Sequence, residues 1–352
     1  MQDNDGRQAP PTTALISEGV VKVPAFDLPP SAALSEAARL AQSMGRPSAG
    51  APVIPRLSEI NSEEAFEEAV LAFRSKLDTG LAQALSESIH TVYPVRIEQR
   101  SIRGVLVEIF TPTGPHVQDQ ILINLHGGAF CAGAKYIGRV ESIPVCHLGG
   151  WKIISVDYRQ GFEHKFPAAS EDVAAVYSEL LKTYPARHIG IFGGSAGGTI
   201  ASQTIAWLIE HEQPAPGALG IFGAGTGGIG DSAYFAAISS GQTPPFDLFT
   251  DLMGGKVGYF SDVRADDYLV NPNIAPEAFR AQYPPTLLIT GTRASDMSPA
   301  IAAHRALVAA GVDASLHVFD GLGHCFYNNI SLPEAQDAYA TMIRFYRNKL
   351  GS

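Results

Sequence analysis

The chain is poor in cysteine, in basic residues and in long apolar runs, and each shortage excludes something. Only three cysteines occur in 352 residues, Cys131, Cys146 and Cys325. None forms a C-x-x-C pair, so neither a zinc site nor a dense disulfide framework is expected, and one disulfide at most remains open. Lys and Arg number 25 against 35 Asp and Glu, a formal charge of −10 at pH 7. That balance argues against nonspecific binding to nucleic acid or to an anionic membrane, both of which need a basic surface. A neutral or cationic small molecule is the easier partner. No apolar run approaches the length of a membrane span, and the opening "MQDNDGRQAPP" has neither a basic n-region nor an apolar h-region. A soluble protein is expected: cytoplasmic, or periplasmic or secreted if a signal peptide has been removed. No metal or cofactor is implied.

With 45% hydrophobic and 17% charged residues, the chain is long enough for one large α/β domain with additions. Residues 1–90 read as a proline-rich polar arm followed by a helical cap. Within it, "SAALSEAARLAQSM" from Ser31 and "SEEAFEEAVLAFRSKL" from Ser62 have helical patterns, the second with Ser62 as N-cap and acidic residues in its first turn. From about residue 91 the texture changes to short apolar strands, "GVLVEIFTP", "ILINLHGG", "WKIISVDY", "HIGIFGG", "ALGIFGA", "TLLITG" and "ASLHVFDG". Amphipathic stretches lie near 168–183, 195–211, 298–310 and 333–349. Strands alternating with helices of this length predict a mostly parallel sheet covered on both faces by helices, spanning 91–352. Residues 224–283 interrupt the rhythm with Gly, Pro and aromatics and read as a cap or lid insertion.

In such a sheet, ligands bind beyond the carboxyl ends of the strands. Four of those ends carry chemistry. "HIGIFGGSAGG" writes G-x-S-x-G around Ser195, with Gly193 and Gly197 as the glycines that let a strand turn sharply into a helix. "ILINL" is followed by "HGGAF", where Gly127 and Gly128 leave backbone N–H groups open to an anion. "TLLITG" is followed by "TRASD", which offers Asp296, and "ASLHVFDG" by "LGHCF", which offers His324. The order Ser, Asp, His is that of an α/β-hydrolase.

At these residues the sequence resembles the hormone-sensitive-lipase-like family of α/β-hydrolase serine esterases, over about residues 90–349. The marks are "HGGAF", "VDYRQGFEHKFPAASEDV", "GGSAGG", "TGTRASD" and "GLGHCF". The second of these carries no catalytic group, so a convergent active site does not explain it. The resemblance implies an α/β-hydrolase fold with a helical cap, and Ser195 as nucleophile, His324 as base and Asp296 as the acid that orients it. It implies the N–H groups of Gly127, Gly128 and Ala196 as an oxyanion hole, and short- to medium-chain carboxylic esters as substrates. Lactone or aryl-ester hydrolysis within the same family is the alternative. Three departures stand out: Ala129 replaces the third glycine of the usual "HGGG", Gly194 stands where Asp or Thr is common, and Ala294 occupies the usual acid position. Asp320 is therefore a second candidate for the acid.

Two other classes compete. "GIFGAGTGGIG" sets Gly223, Gly225 and Gly228 as a G-x-G-x-x-G after a strand, but the prolines downstream leave no second strand ending in an acid, so dinucleotide binding is disfavoured. A small-molecule receptor with a dead site is opposed by the presence of His324 and kept open by Ala294. Candidate pocket residues are Phe130, Tyr136, Phe222 and Thr226, with Phe246, Phe249 and Tyr259 as further aromatics; core packing is the alternative role for each aromatic. Cys131 and Cys325 read as packing groups. A homodimer is open.

Overall fold

The computed structural model describes residues 15–17, 20–23, 26–44, 60, 62–226, 230–240, 258–264 and 266–351. Strands β1 (Leu15–Ser17) and β2 (Val20–Lys22) pair as a small antiparallel ribbon. Helices α1 (Glu36–Ser43), α2 (Glu63–Lys76) and α3 (Gln83–Val92) follow, with a π-helical turn over Leu77–Ala82 joining the last two. Ser62 caps α2 as its sequence predicts, accepting from the Ala65 N–H at 3.2 Å. Ser35 caps α1, accepting from the Ala38 N–H at 3.1 Å.

The main sheet contains β3 (Val95–Ile102), β4 (Val105–Pro112), β5 (Ile121–Leu125), β6 (Lys152–Val156), β7 (Ile189–Gly194), β8 (Ala218–Phe222), β9 (Thr286–Gly291) and β10 (Ala314–Phe319). Their spatial order is β10-β9-β8-β7-β5-β6-β4-β3. Strand β4 pairs antiparallel with both neighbours, and every other pairing is parallel. The connecting helices are α4 (Tyr136–Gly149), α5 (Ala168–Leu180) and α6 (Ala196–Glu210), then α7 (Asp231–Ser239), α8 (Glu277–Arg280), α9 (Met297–Ala309) and α10 (Pro333–Lys349).

Among the elements that the sequence pattern does not show, two are hidden for opposite reasons. Strand β3 is a largely exposed edge whose polar residues hide its strand character. Helix α4 is buried nearly all round and carries Pro144, so it shows no amphipathic stripe. The segment at 224–283 contains α7 and α8 and rejoins the sheet at β9. Its residues 227–229, 241–257 and 265, with Gly228, Phe246 and Phe249, lie outside the described residues.

Side-chain alternation splits the core. Ile121, Ile123, Leu125, Ile189, Ile191, Leu219 and Ile221 face α5, α6 and α9, and Phe66, Val70 and Phe73 of α2 join that cluster. Leu122, Phe192, Ala218, Phe222, Leu287 and Ile289 face α4 and α10. Helices cover both faces, as apolar parallel strands require. The chain enters β6 on one side of β5 and β7 on the other, so the sheet order reverses at the ends of β5 and β7. A crevice opens at such a reversal, and both "HGGAF" and Ser195 stand there.

Tyr346 of α10 is fully buried between Trp151 and Phe192 and donates its hydroxyl to the Ile191 carbonyl at 2.9 Å. Replacing Tyr346 by Phe strips one buried hydrogen bond at nearly constant shape, so urea denaturation should show a loss of about 1 kcal/mol.

Candidate active site

The elbow after β7 is built by close approach. A Cβ on Gly197 would overlap the Leu125 carbonyl, and one on Gly193 would lie 2.5 Å from the same oxygen. Neither glycine has a positive φ; the unusual backbone falls on Ser195 itself, at φ 54°, ψ −125°. The Ser195 N–H donates to the Phe222 carbonyl at 2.8 Å, fastening the turn to β8. The other loops are bent in the same way, for Ala129, Phe130 and Cys325 also have positive φ. Clusters of strained backbone of this kind mark functional sites.

Ser195, His324 and Asp296 form one hydrogen-bonded chain. The Ser195 hydroxyl lies 2.9 Å from His324 Nε2, and His324 Nδ1 lies 2.6 Å from Asp296 Oδ1. The carboxylate faces Nδ1, so Nδ1 carries the proton and Nε2 is free to accept from Ser195. Thr290, at the end of β9, donates to the other Asp296 oxygen at 2.6 Å. Asp296 is buried, whereas 40% of the His324 side chain is exposed. Burial opposes the imidazolium, but the Cys325 sulfur and the Asp296 carboxylate outweigh it and hold the His324 pKa above the ordinary histidine value. A turn closed by the Ala294 N–H on the Gly291 carbonyl brings Asp296, the N-cap of α9, to the histidine although it lies two residues beyond the usual position. Asp320 takes no part: it accepts from Ser31 and Thr292, and those bonds lower its pKa.

The "HGGAF" loop departs from expectation at one residue. The Gly127 N–H donates to Glu141 Oε1 at 2.9 Å and is not open to a ligand. Among the described residues no acceptor takes the N–H of Gly128, Ala129 or Ala196. Gly128 has φ 132°, and a Cβ there would overlap the Ala132 carbonyl. Beneath the loop, His126 stacks on Tyr158 with ring centroids 4.3 Å apart and bonds the Gly127 carbonyl at 2.8 Å. Complete burial pushes its pKa down to about 4, so it is neutral. Tyr158 donates to the His126 carbonyl, and Asp172 accepts from the Arg159 backbone at 2.7 Å. These contacts give the noncatalytic motif at Asp157–Asp172 its role as scaffold for the loop. From above, Arg74 of α2 bonds the Cys131 carbonyl and Glu163, and Asp78 of the π turn accepts from Gly133 at 3.0 Å.

The expected pocket residues divide. Phe130 is buried, 6.2 Å from the Tyr259 ring and edge-on to Phe260 at 4.8 Å. Tyr136 stands under the charges of Lys135 and Arg139. Phe222 is not a pocket residue: its side chain is in the core facing α4 and α10, against Phe192 and Tyr327. Thr226 pairs with Asn273, donating its hydroxyl to the Asn273 side-chain oxygen at 2.8 Å and accepting from the Asn273 amide on its carbonyl. Gly223 and Gly225 serve close approach to Cys325 and to Pro299, the start of α9. All three cysteines are free, and burial pushes the Cys131 thiol up to about 12. Cys325 does more than pack: its sulfur is 3.5 Å from His324 Nε2 and accepts from Tyr327 at 3.3 Å. Thr290 and Glu141 escape sequence reasoning; the only signal for Glu141 is a carboxylate inside a buried run. Among the described residues no group of three or more His, Cys, Asp or Glu side chains stands ready for a metal, and no helix is long and apolar enough to cross a membrane.

This architecture, with a serine elbow at the switch of a mostly parallel sheet, is that of a hydrolase class. The alpha/beta hydrolase fold family matches residues 122–328, and the chain belongs to it. Among individual proteins, an esterase designated E25 has a crystal structure that superposes with a TM-score of 0.77 at 28% identity, covering 95% of this chain and all of that one. An esterase of the bacterial hormone-sensitive lipase family superposes with a TM-score of 0.67 at 26% identity, over 76% of this chain and 91% of that one. In sequence, the chain is 36% identical over 119 residues to versiconal hemiacetal acetate esterase of Emericella nidulans, covering 33% of this chain and 40% of the relative. It is 33% identical over 106 residues to an acetyl-hydrolase of Streptomyces hygroscopicus, covering 30% and 36%. The chain thus spans well under half the length of these two relatives.

Since Asp296, not Asp320, faces His324, Asp296→Asn should lower kcat on an ester by about 10³- to 10⁴-fold through loss of the imidazole tautomer. Asp320→Asn should leave it within about twofold, because its bonds lie outside the hydrogen-bonded chain. Steady-state kinetics of the two variants checks the assignment.

Proposed function

We propose that the chain is a serine carboxylesterase acting on short- to medium-chain carboxylic esters through an acyl-enzyme. The observation that carries this reading is the unbroken hydrogen-bond chain from Ser195 through His324 to Asp296, beside open backbone donors at the sheet's switch point. His324 Nε2 takes the Ser195 proton as the hydroxyl oxygen attacks the ester carbonyl, and the carbonyl oxygen becomes an oxyanion. We assign its donors as the N–H groups of Gly128, Ala129 and Ala196, the last at the positive end of α6. Collapse expels the alcohol, which receives the proton from His324. Water then repeats the path on the acyl-enzyme and releases the acid. Asp296, held by Thr290, orients His324 and supports the imidazolium.

The N-terminal helices and the 224–283 segment act as the cap over this crevice in the same reading, with Phe130 and Tyr259 as its nearby aromatic wall. The names of the fungal acetate esterase and the bacterial acetyl-hydrolase favour a small acyl group. The substrate is a small neutral ester, in keeping with the acidic balance of the chain.

Hydrolysis of a graded p-nitrophenyl ester series by wild type and Ser195→Ala tests the reading. Turnover should fall with acyl length and vanish in the variant without loss of folding; turnover that survives in Ser195→Ala would refute it. Since His324 acts as a base and its pKa is raised, kcat/KM should decline as pH drops, with a midpoint above the ordinary histidine value of about 6.5.

A further inference from the structure

Glu141 lies outside the hydrogen-bonded triad, yet it is the carboxylate that touches both halves of the site. It is 5% exposed, on α4. Oε1 accepts from the Gly127 N–H of the oxyanion loop at 2.9 Å. Oε2 accepts from the Gly194 N–H, immediately before the nucleophile, at 3.2 Å, and from Asn124 Nδ2 at 2.9 Å. Asn124, itself fully buried, is fixed by the Ser155 hydroxyl at 2.9 Å. A Cβ placed on Gly127 would stand 3.2 Å from Ser195 Cβ and 3.3 Å from Glu141 Oε1, so the carboxylate lies just behind the nucleophile. The absence of a side chain at Gly194 is part of the arrangement, for a Cβ there would come within 2.7 Å of Oε1.

Three N–H donors converge on this group, and a neutral acid could not satisfy all three so well. We propose that Glu141 is a positioning residue of the esterase reaction, clamping the oxyanion loop to the nucleophile elbow and setting negative charge behind the His324 imidazolium that forms during acyl transfer. The inference rests on the esterase reading above. The groups whose charge states couple to Glu141 are His324 after β10, Tyr327 in the following turn, Tyr158 after β6 and Tyr339 of α10, with Cys325 beyond Tyr327. Burial raises the Glu141 pKa to about 7 against the bonds from Asn124, Gly127 and Gly194. The folded state therefore binds this proton more tightly than the unfolded chain, and the cost to stability of the ionised form grows as pH rises from about 4.5 through 7. A group that costs stability in its working state is the kind found at functional sites.

The test is Glu141→Gln in the full chain, assayed on p-nitrophenyl acetate and butyrate from pH 5 to 9 beside wild type and Ser195→Ala. The amide retains an acceptor for Gly127 but loses the bonds from Gly194 and Asn124. A fall in kcat of about a hundredfold with KM within about twofold is expected, as for a small misplacement of reacting groups. The acid limb of kcat/KM should also move to lower pH, because no carboxylate then favours the imidazolium. A folded variant with wild-type kcat and an unmoved limb, while Ser195→Ala is inactive, would overturn the role of Glu141 alone. A wild type without ester turnover would overturn the esterase reading and this role with it. Should Glu141→Gln fail to fold, Asn124→Ala removes a donor that favours the ionised carboxylate, so the acid limb should again move to lower pH, by less than in Glu141→Gln; an unmoved limb there overturns the proposal equally.

Discussion

The site depends on a backbone contact that no side chain could survive: Gly197, in the first turn of α6, lies against the Leu125 carbonyl at the end of β5. Because α6 can press onto β5, Ser195 arrives beside the "HGGAF" loop rather than a residue's width away. Everything else in the site inherits that distance. The loop's N–H groups can face the same point as the serine hydroxyl, and one carboxylate, Glu141, can reach both. The glycines around Ser195 thus act by absence, while the serine itself takes the unusual backbone angles.

Electrostatics then separates the acids by their neighbours. Asp296 is buried with Thr290 on one oxygen and His324 on the other, a pairing that fixes an imidazole tautomer. Asp320, only a few residues from His324 in sequence, faces Ser31 and Thr292 instead. Glu141 meets backbone and amide donors in full burial. Three carboxylates within one region therefore have three different partners, and their chemistry follows from those partners.

Much of this was legible in the sequence, because strand ends and glycine spacing have strong local signatures. Ser195, His324 and Asp296 follow strands whose apolar runs are unmistakable, and Ser62 caps α2 where its pattern says it should. The failures share a physical origin in tertiary contacts. Gly127 looks like an open donor until Glu141 is seen beside it, and that glutamate lies on α4, whose all-round burial erases helical periodicity. Phe222 sits at a strand end facing the crevice in sequence terms, but strand alternation turns its ring to the other face of the sheet. Strand β3 is hidden by the charge that an exposed edge tolerates. Thr226 likewise shows no sign in sequence of its pairing with Asn273, through its hydroxyl and its carbonyl.

The attachments of Arg74 and Asp78 change what the N-terminal helices are. Helix α2 and its π turn grip the Cys131 carbonyl and the Gly133 N–H, on the same short loop that carries Gly128 and Ala129. A helical segment fastened there is part of the loop's support and cannot be exchanged as an independent module. Grafting another segment in its place would release the Cys131 carbonyl and the Gly133 N–H and so shift the backbone of Gly128 and Ala129 with them.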